Sequence, residues 1–156
     1  MKILMVCLGN ICRSPLAEGI MKAKAAKYQL NAEVDSAGTA AYHAGERPDP
    51  RSIEVAARNS IDITDQRARK FRREDFSNFD LIFAMDQSNY YDLAALTDNK
   101  KHLEKLHLIL NKTEPGKNKE VPDPYYGGDK GFDNVFHMLD EACEAIALEI
   151  KNNHHS

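Results

Sequence analysis

The sequence predicts an α/β domain built on a four-stranded parallel sheet with helices on both faces. Three observations carry that expectation. Ile3 to Val6, Asp80 to Asp86 and Leu106 to Leu110 are short, largely apolar runs, as in strands buried on both sides. Segments with apolar residues at helical spacing lie between and after them. Val34-Asp35-Ser36-Ala37-Gly38-Thr39 reads as a further strand running into a turn, so the chain opens on a strand-helix-strand unit with a right-handed crossover. In such sheets ligands bind at the carboxyl ends of the strands, where the strand order reverses.

The first strand, Ile3-Leu4-Met5-Val6, is branched, apolar and too short for a full helix, and it leaves Cys7 at its carboxyl end. A tight Gly9-Asn10 loop follows. Ser14 reads as a helix N-cap and Pro15 suits the first helical position, with Leu16, Ala17, Ile20 and Met21 on one face. Loop amides and the unpaired N–H groups of that helix start converge on one spot and carry the positive end of the helix dipole. The spot favours an anion, which makes Leu8, Gly9, Asn10, Ile11, Cys12, Arg13 and Ser14 the candidate phosphate-binding residues. Cys7 is the predicted nucleophile, because a helix start and a nearby cation stabilise a thiolate. The planar fork of Arg13 matches two oxygens of a tetrahedral phosphoryl group in a way lysine cannot. The Ser14 hydroxyl is placed to donate to the thiolate.

After the second strand, Ala40 to Asp49 is a loop containing Tyr42, and Pro50 starts a helix with Ile53, Val55, Ala56 and Ala57 on its apolar face. Arg67, Arg69, Lys70, Arg72 and Arg73 form a basic cluster, readable as a solvated face or as a dock for acidic partner segments. The third strand ends on Asp86, with Ser88 expected to cap a helix bearing Tyr91, Leu93, Ala94 and Leu96. Within Val121-Pro122-Asp123-Pro124-Tyr125-Tyr126-Gly127-Gly128 the two prolines stiffen the backbone, so Asp123 is presented on a rigid loop. A last helix, from about Asp133, repeats Val135, Met138, Leu139, Ala142, Cys143, Ile146 and Ile150 at helical spacing, which assigns Cys143 to the core.

At 156 residues and 17.6 kDa the chain fits one domain, large enough to bury roughly 70 % of its unfolded surface. A net charge of -3 argues against a general nucleic-acid or anionic-membrane binder. The longest strongly apolar run, Ile3 to Leu8, is too short to span a bilayer, and Lys2 alone makes a poor signal-peptide start. A cytoplasmic protein without membrane insertion is expected. The 3 cysteines form no disulfide framework and the 6 histidines lack zinc-site spacing, so neither a metal nor another cofactor is expected.

The stretch Cys7-Leu8-Gly9-Asn10-Ile11-Cys12-Arg13-Ser14-Pro15, near the N-terminus after a first strand, resembles the phosphate loop of the low-molecular-weight protein tyrosine phosphatases. Asp123-Pro124-Tyr125-Tyr126-Gly127 is similar to that family's general-acid motif. The resemblance covers nearly the whole chain and implies a strand order of 2-1-3-4, a catalytic domain over 1–151 and a C-terminal tail over 152–156. It implies phosphotyrosine hydrolysis through a phosphocysteine on Cys7, with Arg13 clamping the phosphate and Asp123 as general acid and then base. The substrate is then a phosphotyrosine-containing protein, and inorganic phosphate or similar oxyanions occupy the loop.

The same resemblance makes Tyr42 one wall of the substrate cleft and Tyr125 and Tyr126 the other, with Leu8 and Ile11 as further apolar wall. Asp86 becomes a structural support, and Cys12 a thiol that traps oxidised Cys7 as a reversible disulfide or simply packs. Gln66 stands nearest to where many members carry a histidine linked to the phosphate loop. An arsenate reductase on this scaffold needs relay cysteines, yet none lies between Cys12 and Cys143. A protein-arginine phosphatase shares both motifs but tends to carry threonine where this chain has Ile11. A catalytically silent phosphoprotein-binding module would lack the nucleophile or the acid, whereas Cys7, Arg13 and Asp123 are all present.

Overall fold

The computed structural model describes residues 1–124 and 128–154. Strand β1 (Lys2–Cys7) leads into α1 (Arg13–Lys27), then β2 (Glu33–Gly38), α2 (Pro50–Arg58) and the short α3 (Glu74–Asn78). Strand β3 (Leu81–Ala84), α4 (Gln87–Ala94), α5 (Lys100–Glu104) and β4 (Leu106–Leu108) follow. A 3₁₀ turn (Ile109–Lys112) and the long α6 (Gly128–His154) complete the described chain. The four strands pair in parallel in the order β2-β1-β3-β4, as expected.

Strand β1 explains why its sequence is apolar without alternation. Ile3, Met5 and Cys7 face a core completed by α1, α2 and α6, while Leu4 and Val6 face a second core with Phe71, Phe76, Phe79 and Leu93. With both faces covered, Ile3, Leu4, Met5 and Val6 are all fully buried. Order reversal between β2 and β3, on either side of β1, puts the carboxyl end of β1 at the crevice where Cys7 sits.

Several local expectations shift. Helix α1 begins at Arg13 with Cys12 in the cap position and no side-chain cap, because the Ser14 hydroxyl is taken by Cys7 instead. Asp86, not Ser88, caps α4 by accepting from the Asn89 N–H at 2.7 Å. Strand β4 stops at Leu108, where the Leu110 carbonyl gathers the N–H groups of Thr113 and Glu114 and turns the chain. Helix α6 starts at Gly128, five residues before Asp133, while Val135, Leu139, Ala142, Cys143, Ile146 and Ile150 are buried as their spacing implied. Helices α3 and α5, of 5 residues each, are too short to show a periodicity.

Candidate active site

The loop between β1 and α1 is held from outside by its carbonyls. Cys7 O accepts from the Thr39 N–H, Leu8 O from Ala40, and Ile11 O from Asp49, at 2.7 to 3.0 Å. The Ser52 hydroxyl donates to Cys12 O. Across planar trans peptides the following N–H groups, those of Leu8, Gly9, Cys12 and Arg13, point the opposite way. They are directed to the inside of the loop, where N–H donors suit an oxyanion.

Asn10 fixes this shape. Its φ of 57° is in the left-handed region, which asparagine tolerates better than most residues. Its side chain is fully used: Oδ1 accepts from the Arg69 N–H at 3.0 Å, and Nδ2 donates to Ser14 Oγ at 2.8 Å and to Ser36 Oγ at 2.9 Å. Since Ser14 Oγ accepts from Asn10, its own proton is directed at Cys7 Sγ, 3.0 Å away. The Ser36 hydroxyl likewise donates to Glu18 Oε1 at 2.7 Å. Burial, the largest influence on Glu18, raises its pKa above the ordinary carboxylate value, although hydrogen bonds from Lys22 and Ser36 act the other way.

Arg13 is 5 % exposed, at the first turn of α1. Its Nη1 donates to Asp86 Oδ2 at 2.7 Å and to the Val121 carbonyl at 2.9 Å. Burial opposes the guanidinium charge, but Cys7, the hydrogen bond and charge of Asp86, and Asp123 outweigh it and raise the pKa. Cys12 differs in kind: burial first, then the charges of Asp49, Cys7 and Asp123, push its thiol up to about 12. It stays protonated at neutral pH.

One cavity of about 260 Å³ is lined by Cys7, Leu8, Gly9, Ile11, Cys12, Arg13, Tyr42, His43 and Asp123. Asp123 arrives there because Val121, itself buried, donates its N–H to the Met85 carbonyl beyond β3 and gives its own carbonyl to Arg13. Leu8 is 44 % and Tyr42 79 % exposed at the rim, placing an apolar wall and an aromatic face beside the loop. A larger cavity, about 510 Å³, lies elsewhere, against β4 and the Tyr90-Tyr91 face of α4.

The sequence-predicted Cys7, Arg13, Asp123 and Tyr42 therefore share one cavity with the predicted loop residues Leu8, Gly9, Ile11 and Cys12. Asn10 and Ser14 stand behind it, holding the loop and the sulfur. Tyr125 and Tyr126 fall outside the described residues. Gln66 does reach the start of α1, donating to the Pro15 carbonyl at 3.1 Å. Asp86 supports Arg13 directly. His43, Ser36 and the Val121 carbonyl went unread in the sequence. His43 could have been suspected from its place beside Tyr42, and Ser36 from its inward position in a strand, but nothing local marks a backbone carbonyl.

The chain matches, over residues 2–156, the family model described as low molecular weight phosphotyrosine protein phosphatase. It is 47 % identical over 145 residues to a putative low molecular weight protein-tyrosine-phosphatase of Synechocystis, covering 92 % of each chain. A solved protein tyrosine phosphatase from Entamoeba histolytica, with Hepes in its active site, superposes with a TM-score of 0.91 at 41 % identity over 99 % of both chains. A Drosophila arginine phosphatase structure superposes with a TM-score of 0.88 at 32 % identity, covering 96 % of this chain and 97 % of its own. The match spans the whole sheet and the loop after its first strand, and on that ground the chain belongs to the low molecular weight phosphotyrosine protein phosphatase family.

Proposed function

We propose that this protein hydrolyses phosphotyrosine in protein substrates through a phosphocysteine intermediate. The observation that carries the reading is the convergence of Cys7, Arg13 and Asp123 on one cavity from a strand end, a helix start and a distant proline-flanked loop. In the first step the Cys7 sulfur attacks phosphorus in line, forming P–S as the P–O bond to the phenol breaks. The inward amides of Leu8, Gly9, Cys12 and Arg13 and the Arg13 guanidinium hold the equatorial oxygens. Asp123 gives its proton to the leaving phenolate. In the second step a water surrenders a proton to Asp123 and attacks phosphorus, P–S breaks, and phosphate and the Cys7 thiolate are released. Every proton and charge is assigned to a side chain or an amide, so the scheme calls for no metal.

The Ser14 hydroxyl, aimed at Cys7 by Asn10, stabilises the thiolate both as attacking and as leaving group. Leu8, Ile11 and Tyr42 hold the phenyl ring, and Tyr125 and Tyr126 supply the opposing wall. Inorganic phosphate and similar oxyanions bind the loop as product or inhibitor. Cys12, protonated and buried in the same cavity, acts as a redox guard: peroxide converts the Cys7 thiolate to a sulfenic acid, and the Cys12 thiol displaces water to form a disulfide that added thiols reduce. Residues 1–151 form the catalytic domain and 152–156 its tail. The protein works in the cytoplasm, a setting consistent with 3 free cysteines. Among the described residues no helix is long and apolar enough to cross a membrane.

The test is steady-state hydrolysis of phosphotyrosine, phosphoserine and phosphoarginine peptides by wild type, Cys7→Ser and Asp123→Ala, without added metal. Selective phosphotyrosine turnover, abolished by Cys7→Ser and slowed by Asp123→Ala most for poor leaving groups, is the expected result. Preferential phosphoarginine turnover would move the chain to the reaction named for its Drosophila neighbour, and undiminished turnover by Cys7→Ser would refute the mechanism.

A further inference from the structure

The basic cluster does not divide evenly between structure and solvent. Arg69 is committed to structure: its guanidinium bridges Asp35 at 3.1 Å and Asp75 at 3.0 Å. Arg67 gives its guanidinium to the Thr64 and Gln66 carbonyls, not to a carboxylate. Lys70, Arg72 and Arg73 are exposed, and among the described residues none of their side chains has a carboxylate partner. Of the nearby acids, Glu46 is held by His43 at 2.5 Å and Asp35 and Asp75 by Arg69, while Glu74 beside Arg73 and Asp65 are exposed. In a chain of net charge -3, the exposed cations Arg67, Lys70, Arg72 and Arg73 thus outnumber the exposed acids Asp65 and Glu74 along one strip.

That strip is fastened to the phosphate loop. Gly38 pairs with Cys7 in the β1/β2 ladder and, on its other side, forms a parallel bridge with Lys70. Two strand spacings therefore put the Lys70 backbone about 10 Å from that of Cys7. Arg69 N–H holds Asn10 of the loop, and Ala68 exchanges hydrogen bonds with Gly45 and Glu46 of the segment that carries Tyr42 and His43 to the cavity. An extended peptide covers about 10 Å in three residues, so a chain leaving the cavity over that rim reaches the strip within two to four residues of the phosphotyrosine.

We propose that Lys70, Arg72 and their neighbours Arg67 and Arg73 form a docking strip for acidic residues flanking the phosphotyrosine of a substrate protein. The inference rests on the phosphatase reading and narrows it to substrates whose phosphotyrosine stands in an acidic context. The strip acts by attraction across solvent: it raises the encounter rate and slows departure of acidic peptides, and does not touch the reacting atoms.

The test compares three substrates: p-nitrophenyl phosphate, a phosphotyrosine peptide flanked by glutamates, and the same peptide with glutamines. Wild type and the Lys70→Glu, Arg72→Glu double variant are each assayed at low salt and with added salt. Wild type is expected to favour the glutamate peptide by about tenfold in kcat/KM, since each exposed charge contact contributes only a few-fold. The preference shrinks with salt and disappears or reverses in the double variant, whose p-nitrophenyl phosphate turnover stays at the wild-type level. Equal handling of both peptides by wild type, or a glutamate preference that survives the double charge reversal, would overturn the docking strip while leaving the phosphatase reading intact. Absence of p-nitrophenyl phosphate turnover in wild type would instead sink the phosphatase reading and the inference with it.

Discussion

Asp86 does two separable jobs, one with each carboxylate oxygen, and replacing it by asparagine or alanine takes them apart. Oδ2 receives the Arg13 guanidinium at 2.7 Å, and Oδ1 receives the Asn89 N–H at the start of α4, also at 2.7 Å. Breaking a buried ion pair by removing one partner costs about 3 to 5 kcal/mol. Asp86 is 19 % exposed and the Val121 carbonyl still accepts from Arg13, so the loss falls to about 2 to 3 kcal/mol. A lost N-cap adds about 1 kcal/mol. Asp86→Asn keeps a neutral oxygen for the cap but sets its NH2 against Arg13, losing both the charge and the acceptor there, for about 2 to 3 kcal/mol. Asp86→Ala loses both, for about 3 to 4 kcal/mol. Urea unfolding of the three proteins reads the two increments directly, provided the m-value is unchanged. The reasoning is refuted if Asp86→Asn lies within about 0.5 kcal/mol of wild type or if alanine is no worse than asparagine.

The remaining predictions concern the loop and its supports. Asn10→Ala loses three hydrogen bonds and puts a Cβ-bearing residue without a polar side chain at a φ of 57°. Asn10→Gly loses the same bonds without the backbone penalty, so urea unfolding should find alanine the worse by about 1 kcal/mol; equal losses would remove backbone strain from the account. Gly38→Ala would place a Cβ 2.7 Å from the Leu8 carbonyl and 3.2 Å from the Asn10 nitrogen, both backbone atoms of the phosphate loop. It should lose about 1 to 3 kcal/mol and weaken inorganic phosphate binding measured by calorimetry, and unaltered binding would show that the loop tolerates displacement there. Glu18 has its pKa raised from 4.5, chiefly by burial. Folded protein therefore binds this proton more tightly than the unfolded chain. The resulting stabilisation is present below the unfolded value and is lost as pH rises through the folded one. Relative to Glu18→Gln, wild type should lose stability as pH rises above the unfolded value of 4.5, and a gap that stays constant or moves the other way would contradict the assignment.

Much of this could be read from the chain because the information was local. A strand buried on both faces has to be apolar at every position, and Ile3 to Val6 are. Cys7, Gly9, Asn10 and Arg13 are close in sequence, so their geometry follows from a strand end, a tight loop and a helix start. Where two local solutions compete, the sequence does not choose. Ser14 has the chemistry of an N-cap, but the Cys7 sulfur and the Asn10 amide claim its hydroxyl, and Asp86 takes the cap expected of Ser88 because the chain enters α4 extended at Asp86. The start of α6 is not legible in the sequence because its first turn, Gly128 to Gly131, carries no apolar periodicity.

By itself, the sequence determined the sheet, the apolar faces that bury it and the oxyanion loop, since each depends on residues within about one element of one another. Only the tertiary structure decided that Asp123 shares a cavity with Cys7, that Arg13 sets its buried charge against Asp86 and the Val121 carbonyl, and that Lys70 lies two strand spacings from Cys7. Those relations join residues tens of positions apart, and they exist only because parallel pairing in the order β2-β1-β3-β4 brings the carboxyl ends of separate strands to one edge.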